Sequence, residues 1–153
     1  MARALGIDLG ERRIGVAVSD SGGVVAVGHG TIPRSGDEAA DHAAVARIVA
    51  DTGAERVVVG LPLSLDGSHG PAARKVTAEA AAMEAALGVP VELYDERFTT
   101  VAASRSLAGA GVRSRARRRV IDEAAATVLL QSWLDGRPGQ SAPAPSGPGS
   151  EQP

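Results

Sequence analysis

Two short turns interrupt the first 25 residues, Gly10-Glu11-Arg12-Arg13 and Asp20-Ser21-Gly22-Gly23. Each separates apolar stretches, and a link this short cannot return the chain to a parallel strand, which takes about a dozen residues or more. The strands so joined, residues 3 to 9, 14 to 19 and 24 to 32, must therefore run antiparallel. Any fold for this chain begins with a three-stranded meander.

After Pro33 the pattern changes. Ser35-Gly36-Asp37-Glu38 has the spacing of a capping box, in which the Ser35 hydroxyl and the Glu38 carboxylate satisfy free amides at a helix start. That helix should run to about Thr52, where Gly53 stops it. Arg56-Val57-Val58-Val59-Gly60 is short, β-branched and apolar throughout, which suits an interior strand covered on both faces by helices. Leu61 to Gly70 reads as a loop, and Pro71 is placed for the first turn of an Ala-rich helix ending at Gly88. Pro90 to Asp95 is a fifth strand. Thr99 to about Ala108 and Val120 to Leu134 are the last helices, with a basic connector between them. In the final helix Ile121, Ala125, Val128, Leu129 and Ser132 form the stripe that faces a core.

Residues 137–153 are almost entirely Pro, Gly, Ser, Gln and Ala, too poor in apolar surface to offset the entropy of ordering, and are expected to be a disordered tail. The chain is then one domain, residues 1–136. Its apolar fraction is 44% with only 2% aromatic, so Val, Leu, Ile and Ala must fill the core and let helices pack close to the sheet. No internal repeat is visible.

A net charge of −2 excludes a protein that coats nucleic acid by bulk charge alone, so local clusters must do any such work. Zero cysteines exclude disulfides and thiolate metal sites. The amino terminus runs straight into a strand, and no stretch approaches about 18 uninterrupted apolar residues. A cytoplasmic protein without a membrane partner is expected.

Three antiparallel strands followed by helix, strand, helix, strand and helix is the element order of the ribonuclease H-like fold, an α/β class with a mixed five-stranded sheet: three antiparallel strands, then two parallel ones. In that architecture the first and fourth strands lie side by side at the centre. Acids on the first strand, at a strand end and on the closing helix can then converge.

Asp8 ends the apolar run Ala4-Leu5-Gly6-Ile7, and a carboxylate there is expensive to desolvate without a cation or hydrogen-bond partner. It reads as a metal ligand or as a cap on the turn through Gly10. Near the other end, Asp95-Glu96 offers two acids of which only one can look into a site from a strand, and Asp122-Glu123 offers two more. Asp122 would lie in the first turn of the last helix, where the dipole favours a negative charge by roughly 0.3 to 1 kcal/mol. Hard oxygen ligands from separate elements suit Mg²⁺ or Mn²⁺. Two such ions, about 3.5 to 4 Å apart, can activate water and stabilise the departing oxygen of a phosphodiester.

Gly6-Ile7-Asp8-Leu9-Gly10 with Arg13 to Asp20, then Gly60-Leu61-Pro62, Asp95-Glu96-Arg97-Phe98-Thr99-Thr100 and Asp122-Glu123-Ala124-Ala125-Ala126 together resemble the YqgF family, also called RuvX or Holliday-junction-resolvase-like. The likeness spans about residues 3 to 135 in order. It implies a ribonuclease H-like nuclease using divalent metal, assigned in the family to 5′-end maturation of pre-16S ribosomal RNA and, for some members, to Holliday-junction cleavage. Carried over position by position, the motif acids are Asp8, Glu96 and Asp122, which would serve as both metal ligands and catalytic groups. Resolvases of the RuvC type have a further acid one helical turn earlier, and Arg119 or its neighbours stand there in this chain.

Arg113, Arg115, Arg117, Arg118 and Arg119 precede the helix that carries Asp122. If all five met duplex phosphates, log affinity would fall against log salt with a slope of about −4.5, from roughly −0.9 per contact. Arg12 and Arg13, beside Asp8, add to the same surface. His69 is a weaker candidate for protonating a leaving group, and Trp133 and Phe98 are expected to pack rather than stack on bases. The expected partner is nucleic acid, either a ribosomal RNA precursor or branched DNA, bound by a monomer or homodimer. Two rival readings are a non-catalytic nucleic-acid-binding module and a single-domain relative of the actin-like ATPases, whose first phosphate motif Gly6 to Gly10 also resembles.

Overall fold

In a computed structural model of the chain, residues 3–99 and 115–137 are described, with the backbone alone described at 115–120. The helix expected to continue to Ala108, Arg113 and residues 138–153 of the expected tail lie outside the described residues.

The meander forms as expected: β1 (Ala4–Leu9), β2 (Arg13–Ser19) and β3 (Ala26–Pro33) pair antiparallel. α1 (Glu38–Thr52) leads to β4 (Arg56–Leu61), and α2 (Pro71–Leu87) leads to β5 (Val91–Asp95). A single 3₁₀ turn (Glu96–Phe98) follows, and α3 (Arg115–Asp135) closes the described chain. The five strands lie in the order β3-β2-β1-β4-β5, so β1 and β4 are central, with β1–β4 and β4–β5 parallel.

Strand alternation sorts β1 into two faces. Leu5, Ile7 and Leu9 join Ile14, Val16, Val57 and Val59 in the core beneath α1 and α2. Ala4, Ala17, Ala26 and Val58 meet Ala126, Leu130 and Trp133 of α3 on the other face. Small residues dominate that second face, so α3 lies very close to the sheet. A Cβ on Gly6 would stand 2.6 Å from Cβ of Leu130, and one on Gly15 only 2.2 Å from the Asp122 carbonyl oxygen.

Three expectations need correction. Asp37, not Ser35, caps α1: its Oδ1 accepts from the amides of Ala39 and Ala40. Ser35 instead donates to Asp41 Oδ1 at 2.8 Å, while its Oγ accepts from the Asp37 amide. The last helix begins at Arg115 rather than Val120, so Arg115, Arg117, Arg118 and Arg119 belong to its opening turns and not to a connector. Asp122 therefore lies two turns inside α3, beyond the reach of the terminal dipole, which fades within the first turn. Finally, the buried face of α3 is broader than the expected stripe: Ala125 and Leu129 are buried, but so are Ala126, Leu130, Trp133 and Leu134.

Candidate active site

A cleft of about 690 Å³ opens at the carboxyl end of β1 and β4, and Asp8, Glu96 and Asp122 all line it. Asp8 shares its face with Ala4 and Gly6, so it points toward the α3 side of the sheet. It stands opposite Gly15 of β2, and the parallel register, with Ile7 beside Val59, carries it alongside Gly60 of β4. Those two glycines explain how three acids share one place. A Cβ at Gly60 would come within 2.8 Å of the Glu96 carboxylate, and a Cβ at Gly15 would strike the Asp122 backbone. The space beside Asp8 that two side chains would have filled is given to the other two acids.

Each rival acid faces elsewhere. Asp95 caps the 3₁₀ turn, accepting from the Arg97 amide at 2.9 Å, and pairs with the Arg97 guanidinium at 2.6 Å. That guanidinium holds the Asp95 carboxyl below the usual carboxylate range. Glu123 lies over Gly28 of β3, on the far side of Gly15 from Asp8. Neither borders the cleft.

Asp8 and Glu96 are almost fully buried, 3% and 4% exposed. Burial pushes Glu96 from an ordinary 4.5 up to about 7, and the Asp95 charge adds to the rise. With its folded value raised, Glu96 is protonated in the folded state where the unfolded chain has already released the proton. Stability is thus highest below about 4.5 and falls as pH rises toward 7, above which the whole cost of the buried charge is present. At about 1.4 kcal/mol per unit that cost is about 3 kcal/mol, or a loss on the order of 6–12 °C in Tm for a domain of this size. Melting with chelator from pH 5 to 8 should show this decline, and Glu96→Gln should flatten it. An equally steep decline in the variant would rule out Glu96 as its source.

Asp122 is met by Arg13, whose Nη1 donates to Oδ2 at 3.2 Å, with the two side chains 14% and 25% exposed. Arg13 thus faces inward, while Arg12 is exposed on the turn. Lys75, the one lysine of the chain, lines the cleft from α2. Neither Arg12 nor Lys75 belongs to an ion pair among the described residues. His69 is exposed and stands outside the cleft lining. Trp133 is buried as expected, but Phe98 is 69% exposed, touching Tyr94 edge-on with centroids 6.0 Å apart.

Sequence reasoning missed Gly15, Gly60, Arg34, Lys75 and Glu79. The glycines did leave a signal, since an isolated glycine inside a strand marks close approach of another group.

A family model described as RuvX, Holliday junction resolvase, matches residues 2–136. The chain belongs to the RuvX family. Among its relatives, a protein of Anaeromyxobacter dehalogenans (strain 2CP-C) is 49% identical over 135 residues, covering 88% of this chain and 98% of that one. A protein of Leifsonia xyli subsp. xyli is 45% identical over 139 residues, covering 91% and 89%. Both carry the name "Putative pre-16S rRNA nuclease". Among solved structures, T. thermophilus RuvC in complex with Holliday junction substrate superposes with TM-score 0.53 at 17% identity, covering 92% of this chain and 98% of that one. A second Thermus thermophilus RuvC structure gives 0.51 at 20%, covering 90% and 97%. RuvX and RuvC chains thus share the ribonuclease H-like fold that the element order implied.

Proposed function

We propose that the chain is a metal-dependent nuclease that hydrolyses phosphodiester bonds in nucleic acid, and that its substrate is the precursor of 16S ribosomal RNA, matured at the 5′ end. The observation that carries this reading is the convergence of Asp8, Glu96 and Asp122, from three separate elements, on one cleft through the gaps left by Gly15 and Gly60. The names of the RuvX relatives support the substrate.

The donor set fits Mg²⁺ or Mn²⁺: all three candidate ligands are carboxylates, and two of them are buried at a cost that a bound cation offsets. When bound, such ions supply Lewis acidity toward the phosphodiester and a more acidic attacking water. The chain's own residues do the rest. Asp8, Glu96 and Asp122 would hold the cations and leave the open side of the cleft to the substrate, whose phosphates Arg12 and Lys75 can meet. Arg13 orients Asp122 through its Nη1 hydrogen bond to Oδ2. Arg115, Arg117, Arg118 and Arg119 lie upstream of Asp122 on the same helix, and a basic run there suits the phosphates of a bound strand.

A second reading, cleavage of four-way DNA junctions, is favoured by the family's own description. Purified protein with Mg²⁺ or Mn²⁺ should be offered a ribosomal precursor carrying its 5′ extension and, in parallel, a four-way junction. Cleavage of the precursor is expected. Cutting of the junction with the precursor intact would transfer the assignment to the second reading, and no cutting of either would overturn both.

A further inference from the structure

The cleft is also lined by Arg34, Glu38, Asp41 and Glu79, part of a polar cluster that the nuclease reading does not use. Ligand atoms of Glu38, His42 and Glu79 lie within 4.8 Å of one another, a spacing that could hold a cation. The place is already filled. Arg34 donates from Nη1 to Glu79 Oε2 at 2.6 Å and from Nη2 to Oε1 at 3.0 Å, a bidentate fork. His42 Nε2 lies 2.9 Å from the same Oε2, and Asp41 stands 4.0 Å from the Arg34 guanidinium. Burial pushes the Glu79 carboxyl up, but Arg34 and His42 outweigh it and hold it below its ordinary range. The resident cation of this cluster is the guanidinium.

The Nε–H of that guanidinium takes no part in the fork and serves a different task. Arg34 Nε donates to the carbonyl of Gly10 at 3.0 Å, and the Arg34 amide donates to the carbonyl of Arg12 at 2.8 Å. Both acceptors belong to the β1–β2 turn, which carries Asp8 at its start and Arg13 at its end. The turn's own bonds are few: the Gly10 amide reaches the carbonyls of Asp8 and Arg13, each at 3.1 Å. A turn rich in exposed polar residues has little apolar packing to fix it, so external hydrogen bonds decide its position.

The geometry points to Arg34, which follows β3 and is oriented by Glu79 of α2, as the positioning residue of this centre: it ties the β1–β2 turn to α2 and so sets where Asp8 and Arg13 stand in the cleft. The inference rests on the nuclease reading for its effect on turnover, but not for the clamp itself.

Lysine cannot reproduce a fork and a separate Nε donor at once, so Arg34→Lys keeps the charge and removes the clamp. Glu79→Gln removes the anchor from the other side. In the full chain, amide exchange over Gly10 to Arg13 should rise about tenfold or more in both variants, while exchange in β4 stays as in the parent. With Mg²⁺ and the best-cut nucleic acid, kcat should fall by about 10–100-fold, the range seen when the partner that orients a metal ligand is lost, with KM within about twofold. Added guanidinium should restore part of the kcat of Arg34→Ala, and ammonium should not. Unchanged exchange over Gly10 to Arg13 in both Arg34→Lys and Glu79→Gln would overturn the proposal. So would a rise in KM at constant kcat, which would make Arg34 a substrate contact instead. A parent protein that cuts nothing would sink the nuclease reading alone, because exchange still decides the clamp.

Discussion

Asp8→Asn is expected to leave the fold and nucleic-acid binding in place and to remove cleavage. The substitution is nearly isosteric, so the core around Ile7 and Leu9 need not repack, and it replaces a buried charge with a neutral amide. What it takes away is the central carboxylate of the three. Asp8 is flanked by Gly15 and Gly60, and through them by Asp122 and Glu96, so a cation shared by the acids must lie against it. Loss of a group that merely orients a metal ligand costs about 10–100-fold, and loss of the ligand itself should cost more. A second readout needs no substrate. Divalent cation that binds only the folded parent stabilises it by mass action, so Mn²⁺ should raise the parent's Tm at pH 8 and leave that of Asp8→Asn almost unmoved. A variant that cuts as well as the parent, or gains the same Tm from Mn²⁺, would end the case for Asp8 as a ligand.

Gly15→Ala should be the most damaging change of a single methyl group. The new Cβ would lie 2.2 Å from the Asp122 carbonyl oxygen and 2.7 Å from its carbonyl carbon, and both are backbone atoms that cannot rotate away. Helix α3 must lift from β2 or tilt. Overpacking of this kind costs about 1–3 kcal/mol, equivalent to a fall of roughly 2–12 °C in Tm at this chain length. Because the displaced segment carries Asp122, cleavage should fall further than the loss of folded protein explains. Gly22→Ala is the matched control, since a Cβ there meets Asp20 Oδ2 at an ordinary 3.5 Å. Equal melting temperatures for the Gly15 and Gly22 variants would show that α3 is not held by this contact.

The meander, the interior β4 and the order of elements were legible because their signals are local: short turns, a β-branched run, a proline at a helix start. The two choices between neighbouring acids were open to composition and spacing and were narrowed by family resemblance. In the structure the members of each pair part company: Glu96 and Asp122 line the cleft and Asp95 and Glu123 do not. Glu96, in the 3₁₀ turn, reaches the space over Gly60 beside Leu129 of α3, and Asp95 is drawn to Arg97. The start of α3 was misjudged because five arginines read as a solvated connector, although Arg is itself a good helix former. The cap of α1 was misjudged because Ser35 and Asp37 both suit the role, and the deciding partner, Asp41, is drawn on by Arg34 from outside the motif. The Arg34–Glu79 pair joins residues 45 apart in sequence, and no local pattern announces it.

Helix α3 runs unbroken from Arg115 to Asp135, and that continuity fixes the arginine-rich start of the helix relative to Asp122. Seven residues separate Arg115 from Asp122, a span of about 10 Å along a rod rising 1.5 Å per residue. On the proposed function, a strand held at the leading end of the rod would meet the scissile centre at a fixed offset, and the helix would act as a ruler. One residue inserted between Arg119 and Asp122 would not lengthen the reach so much as swing grip and blade apart by about 100°.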